Sequence, residues 1–165
     1  MAEKRLVLSD ASPLIALAAT GGFGLLRELF GNLTITAAVR DEVLAGGARA
    51  GATDLRRALR ARWIRVQRVP RNAPAFPNLG AGEASILGTA VASDKDCYLV
   101  IDDESARREA RARGLEFTGT LGVLVVAKHR GLIPAVRPFL ARLVEYGFHI
   151  SPELGQSVLG EAGER

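Results

Sequence analysis

The sequence contains a single cysteine, Cys97, in 165 residues. One thiol excludes an internal disulfide framework and makes a reducing cytoplasm the natural compartment. Histidine is almost as scarce, with only His129 and His149. No H-x-H, H-E-x-x-H or C-x-x-C spacing occurs, which argues against a zinc site. No apolar run reaches membrane-spanning length, and the interrupted start "MAEKRLVLSDASPLIAL" is too short for a secretory signal. No membrane association is therefore expected. Repeats, low-complexity tracts and interdomain linkers are absent as well.

What is present fits an ordinary globular protein, with 48% hydrophobic and 24% charged residues. The length suits one domain with a sizeable core. The formal net charge is +4, which leans toward an acidic partner. Of the 22 basic residues 19 are arginine. Arginine favours planar, bidentate contact with phosphate or carboxylate, although a GC-rich genome enriches arginine just as well.

Strand-like and helix-like stretches alternate. "RLVL", "NLTIT", "WIRVQRV", "CYLVI" and "LEFTG" read as strands over residues 5–8, 32–36, 63–69, 97–101 and 115–119. Helices are expected over "PLIALAAT", "FGLLRELF", "AAVRDEVL", "GAGEASILGTAVA", "SARREARARG" and "LGVLVVAKHRG". "TDLRRALRAR" is expected to be helical, capped by Thr53 or Asp54. "GGARAGA" (46–52) is a flexible break, and the prolines of "PRNAPAFPN" make residues 70–78 a loop. "IPAVRPFLARLVEYG" reads as one further helix. The division is a main domain over 1–152, then a short helix and frayed tail over 153–165. The alternation predicts an α/β fold with a mostly parallel central sheet and helices on both faces. In such sheets ligands sit beyond the carboxyl ends of the strands.

"LVIDDES" (99–105) turns from apolar to acidic within one step, just where a strand leaves the core. Asp10 follows another strand, Glu42 lies on a helix, and Glu83 lies in a helix's first turn. Each acid alone has a plain structural reading: Asp10 can cap a helix, Glu83 can complement a helix dipole, and Glu42 can be solvated. If they converge, about four negative charges share one pocket, which repels itself unless protons or a cation intervene. Oxygen ligands of this kind suit Mg²⁺ or Mn²⁺. Metal-bound carboxylates at a sheet edge can activate water and neutralise a phosphodiester's developing charge. Asp102 and Asp103 are adjacent and point to opposite sides, so one is expected to face the pocket and the other to cap the following helix.

The stretches "SDASPLIALA", "AAVRDEVL", "LGAGEASIL", "VIDDESARREARARGLEFTGTLGVLVVAKHRGLI" and "GFHIS" together resemble the PIN-like nuclease superfamily. They are most similar to a subgroup known as a domain of unknown function and related to VapC-type toxins. The resemblance spans nearly the whole chain. It implies a parallel sheet flanked by helices, with acids that bind Mg²⁺ or Mn²⁺ to hydrolyse RNA. By position it makes Asp10, Glu42 and Glu83 the first three catalytic acids, and the fourth falls in the Asp102–Asp103 pair. Asp10, Glu83, Asp102 and Asp103 are the implied metal ligands. Relatives carry Thr-x-Asp at the fourth acid, where this chain has "VIDD". They often carry Asp at the third, where it has Glu83. The resemblance also implies a homodimer and, for a toxin, a small antitoxin partner. A catalytically degenerate domain that binds nucleic acid or protein is the alternative.

Three further features bear on RNA. Ser12 could orient a water near Asp10. Arg107, Arg108 and Arg111, just beyond the acidic pair, could grip a scissile strand. The segment 54–71 is arginine-rich and includes Trp63, which reads either as a base-stacking residue on a phosphate-tracking surface or as core beside a solvated helix. Thr118 or Thr120 is expected to cap the following helix. Glu104 is expected near Arg107 or Arg108, and Cys97 in the core.

Overall fold

The computed structural model describes residues 4–47 and 49–165. Ala48, within the expected break at 46–52, lies outside the described residues. The first half of the chain runs β1 (Leu6–Ser9), α1 (Ala11–Ala19), α2 (Gly24–Phe30), β2 (Leu33–Thr36), α3 (Ala37–Ala45), α4 (Ala52–Arg60) and β3 (Ile64–Gln67). The second half runs α5 (Ala81–Ala92), β4 (Cys97–Val100), α6 (Glu104–Ala112), β5 (Glu116–Thr118), α7 (Thr120–His129), α8 (Arg137–Tyr146) and α9 (Pro152–Glu161).

The five strands form one sheet in the order β3-β2-β1-β4-β5. Every pairing is parallel, so the sheet is wholly rather than mostly parallel. Helices cover both faces, as the alternation predicts. Central strands buried on both faces need side chains that are apolar in both directions. Leu8, Ile35, Leu99 and Val100 meet that need with no measurable exposure. Leu14 and Leu17 of α1, Leu26 of α2 and Ile86 and Leu87 of α5 close the core around them. Trp63 belongs to this core: it is buried and meets Phe23 edge-on, with ring centroids 5.7 Å apart. It is therefore not a base-stacking residue. Cys97 is buried as expected.

The chain steps from β1 outward to β2 and β3, then returns to β4 and continues to β5 on the other side. The winding reverses between β1 and β4, and there the helices that leave the strand ends diverge and open a crevice. Asp10 directly follows β1, and Asp102 lies two residues beyond β4.

Several boundaries differ from the sequence reading for local reasons. α4 starts at Ala52 behind Gly51, whose φ of +105° suits a residue without Cβ, so neither Thr53 nor Asp54 is the cap. α8 starts at Arg137, not Ile133, because Pro138 cannot sit deep in a helix but fits its first turn. The last helix is not followed by a frayed end. Val158 and Ala162 are buried, and the Glu164 carboxylate accepts hydrogen bonds from the Val136 N–H (2.7 Å) and the Arg137 N–H (3.3 Å). Lys128 adds an ion pair to Glu164 at 3.4 Å. Glu104 pairs with Arg111 at 2.9 Å rather than with Arg107 or Arg108. No single helix among the described residues is long and apolar enough to cross a membrane.

Candidate functional site

Asp10 occupies the N-cap position of α1, yet its side chain makes no capping hydrogen bond. It is 2% exposed, and its Oδ1 has no hydrogen-bond partner among the described residues. An orphaned buried carboxylate oxygen is costly unless it is protonated or a cation takes the missing place. Structural capping therefore does not account for Asp10.

Gly82 explains how neighbouring acids reach it. A Cβ at Gly82 would lie 2.7 Å from Asp10 Oδ1 and 3.1 Å from Glu42 Oε2. The first turn of α5 thus passes against Asp10 and Glu42, closely enough that only glycine fits. A chain of hydroxyls holds it there. Thr36 caps α3 by accepting from the Val39 N–H at 3.3 Å. Its hydroxyl lies 2.6 Å from Ser85 Oγ, which in turn donates to the Gly82 carbonyl at 2.7 Å. With the Ser85 proton committed to Gly82, Thr36 supplies the proton of the first link. Glu83 lies over Gly80, where a Cβ would come within 2.5 Å of its Oε2.

The charges of these acids are coupled. Burial pushes the Asp10 carboxyl up to about 7, opposed by the nearby Ala11 N–H and reinforced by Glu83 and Glu42. Glu42 is exposed along most of its length. Its carboxylate end is partly withdrawn from water beside Gly82, and that burial, then Glu83, pushes it upward too.

Across the crevice the adjacent aspartates have separate partners. Asp103 is the N-cap of α6 and accepts from the Ala106 N–H at 2.8 Å. Asp102 accepts from the backbone N–H of Thr120 at 2.8 Å and from its hydroxyl at 2.6 Å. It thereby serves the start of α7, whose N-cap Gly119 has no side chain to offer. Both aspartates therefore satisfy helix N-termini, where one was expected to, and neither Thr118 nor Thr120 is the cap. Both also border a cleft of about 620 Å³ that Ser12, Glu83 and Arg107 share. Glu83 is the link between the Asp10 group and this cleft. Phe148, Ile150 and Leu154 add apolar lining to the cleft, together with His149 and Glu161.

Arg107 is fixed at the rim. Its Nε donates to the Ile101 carbonyl at 2.9 Å, its Nη2 stands 3.9 Å from Asp102 Oδ1, and its guanidinium lies 5.4 Å from the Phe117 ring centre. Arg111 lies over the same ring at 5.2 Å while paired to Glu104. Arg108 is exposed. Gly82 is the position that residue-by-residue reading passes over, and Thr120, expected as a cap, is instead the partner of Asp102. A glycine in a helical turn forfeits about 1 kcal/mol against alanine, so "GAGE" already signals a close approach there.

A family model described as a PIN domain, DUF3368, matches residues 6–164. This chain belongs to that PIN-domain family. A search of curated proteins returns no match. PIN domains are generally nucleases, and they typically use divalent metals. The residues of this PIN domain fit such an ion in kind. The donors are hard carboxylate oxygens, one buried oxygen lacks a partner among the described residues, and Gly82 leaves the space a Cβ would fill. Among the described residues no three acidic, histidine or cysteine side chains enclose an ion as they stand.

Proposed function

We propose that this PIN domain is a metal-dependent endoribonuclease, the toxin of a toxin–antitoxin pair, acting in the cytoplasm as a homodimer. The observation that carries the reading is the buried Asp10 carboxylate beside Glu42 and Glu83, one oxygen of which has no partner among the described residues. Asp10, Glu83 and Asp102 would hold Mg²⁺ or Mn²⁺, with Glu42 behind them and Asp103 fixing the start of α6. When bound, the ion would act as a Lewis acid on the phosphate and lower the pKa of water.

The chain's own residues do the rest. Glu83 lines the cleft and adjoins Asp10, and would take the proton of an attacking water. Asp102, held from two directions by Thr120, keeps its position as substrate enters. Arg107 presents a guanidinium whose orientation is set by the Ile101 carbonyl, and Ser12 adds a hydroxyl at the cleft wall. Arg108 and Arg111 lie further along the same helix toward the outgoing strand. The apolar part of the cleft lining suits an antitoxin segment.

The test is cleavage of single-stranded RNA by the purified protein in Mn²⁺, in EDTA, and with Asp10→Asn. Metal-dependent cleavage lost in the variant supports the reading, and cleavage in EDTA contradicts it. The carboxylates do not enclose an ion as they stand, which favours a second reading, a PIN domain that binds RNA without cutting it. RNA binding with no cleavage in any divalent metal selects that one.

A further inference from the structure

The cleft repels the polymer it is proposed to cut. Asp10, Glu42, Glu83, Asp102 and Asp103 crowd one end of the sheet, and Arg107 at the rim is already engaged. The net charge is nonetheless +4, so the positive potential lies elsewhere. It lies along α4 and β3. Arg56, Arg57 and Arg60 are exposed on α4, Arg62 in the turn, and Arg65 and Arg68 on and just after the edge strand. Among the described residues none of them has an ion-pair partner.

Arg65 opens into a groove of about 420 Å³ that Lys4, Lys95, Asn32 and Gln67 also line. Arg5 at its edge is committed to Asp96 (2.6 Å) and Glu116 (3.1 Å), whereas Lys4 and Lys95 have no carboxylate partner among the described residues. Charge on an edge strand discourages pairing with another chain, which accounts for Arg65 and Arg68. It does not account for three exposed arginines on the neighbouring helix. Trp63 is buried in the core, and among the described residues no aromatic lines the groove. The surface is therefore suited to phosphates and not to bases.

We infer that the α4–β3 edge is a second RNA site, which holds the phosphate backbone of a long strand while another segment enters the cleft. The inference rests on the ribonuclease reading for what occupies the cleft, and it specifies the substrate class as long RNA. β3 is three inter-strand steps from β4. With a strand's length added, the two sites are roughly 20 Å apart. A strand of about 30 nucleotides spans that distance several times over even when stacked at about 3.4 Å per residue, whereas a tetranucleotide offers too few phosphates to fill both sites at once.

The test uses the full chain in EDTA, with anisotropy of labelled single-stranded RNAs of about 30 and about 4 nucleotides. Arg57→Glu/Arg65→Glu is compared with wild type and with Arg57→Lys/Arg65→Lys, and melting curves confirm that all three fold. The Glu pair is expected to weaken the long RNA on the order of tenfold and to shrink its log–log salt slope by about 1.4. The short RNA, with few phosphates to offer, should bind weakly throughout, and the Lys pair should restore the long one. Unchanged affinity and slope for the long RNA, or a Lys pair that binds as weakly as the Glu pair, overturns the inference. So does a polyglutamate chain that binds as tightly as RNA, which marks a surface for acidic proteins. Binding is read without metal, so the two readings fail separately. If wild type binds the long RNA but never cleaves, the nuclease reading falls and this site stands. If it cleaves while the Glu pair binds like wild type, only this site falls.

Discussion

Replacing Asp10 by asparagine removes a charge and keeps the shape, which separates a capping residue from one held at electrostatic cost. The Asp10 carboxyl is displaced from 3.8 to about 7, mainly by burial. A folded-state pKa above the unfolded one means the native chain holds an extra proton between those values. That contribution to stability is full below about pH 4 and is lost as pH rises through 7. At 1.36 kcal/mol per pH unit the whole displacement is worth at most about 4 kcal/mol. Of this, about 2.6 kcal/mol disappears between pH 5 and pH 8. Asp10 is 2% exposed, so solvent screening hardly reduces the figure. Asparagine cannot ionise and escapes the loss. Glu42 and Glu83 repel the Asp10 charge, and the repulsion is reciprocal, so asparagine relieves them as well and acts in the same direction. Melting curves in EDTA at about pH 5 and about pH 8 should show wild type falling relative to Asp10→Asn by roughly 5–10 °C, at 2–4 °C per kcal/mol for a chain of this size. Mn²⁺ at the higher pH should restore wild type and leave the variant unchanged. Parallel curves across that pH range would refute the assignment of Asp10 as a buried acid strained by its neighbours.

Gly82→Ala places a methyl 2.7 Å from Asp10 Oδ1. It should abolish Mn²⁺-induced stabilisation and cleavage, read by melting and by an RNA assay, with a stability loss of about 1–3 kcal/mol. Asp103→Ala removes the bond to the Ala106 N–H. It should cost about 1 kcal/mol in urea unfolding and leave most activity. Asp102→Ala should lose activity as well as stability, because it frees the Thr120 N–H and hydroxyl and takes a carboxylate from the cleft. Light scattering at micromolar concentration should return twice the 17.5 kDa chain mass; the monomer mass would count against the dimer.

The order and type of the elements were legible because strand-length apolar runs alternate with helical patterns, and a mostly parallel sheet follows from that alternation; that every pairing is parallel comes from the structure. What was not legible is set by approaches across the chain. Adjacent carboxylates at 102 and 103 are indistinguishable in sequence. Asp102 is tied to Thr120 only because β4 and β5 run side by side, which brings the carboxyl ends of the two strands together. The orphaned oxygen of Asp10 depends on Gly82, some seventy residues later, packing against it. Trp63 read equally well as a surface or a core residue, and Phe23 across the interior decides for the core. Arg107 and Glu104 have helical spacing, but the Ile101 carbonyl takes the arginine first. The start of α8 was within reach, since Pro138 excludes itself from a helix interior.

The most direct test of the central claim is a single gel. The purified protein, Asp10→Asn, and wild type in EDTA are each incubated with labelled single-stranded RNA of about 30 nucleotides, long enough to span both proposed sites, at neutral pH with and without Mn²⁺. The account predicts discrete internal cleavage by wild type in Mn²⁺ alone, with EDTA and the variant both inactive. Cleavage by the Asp10→Asn protein at the wild-type rate, or cleavage that survives EDTA, would contradict it.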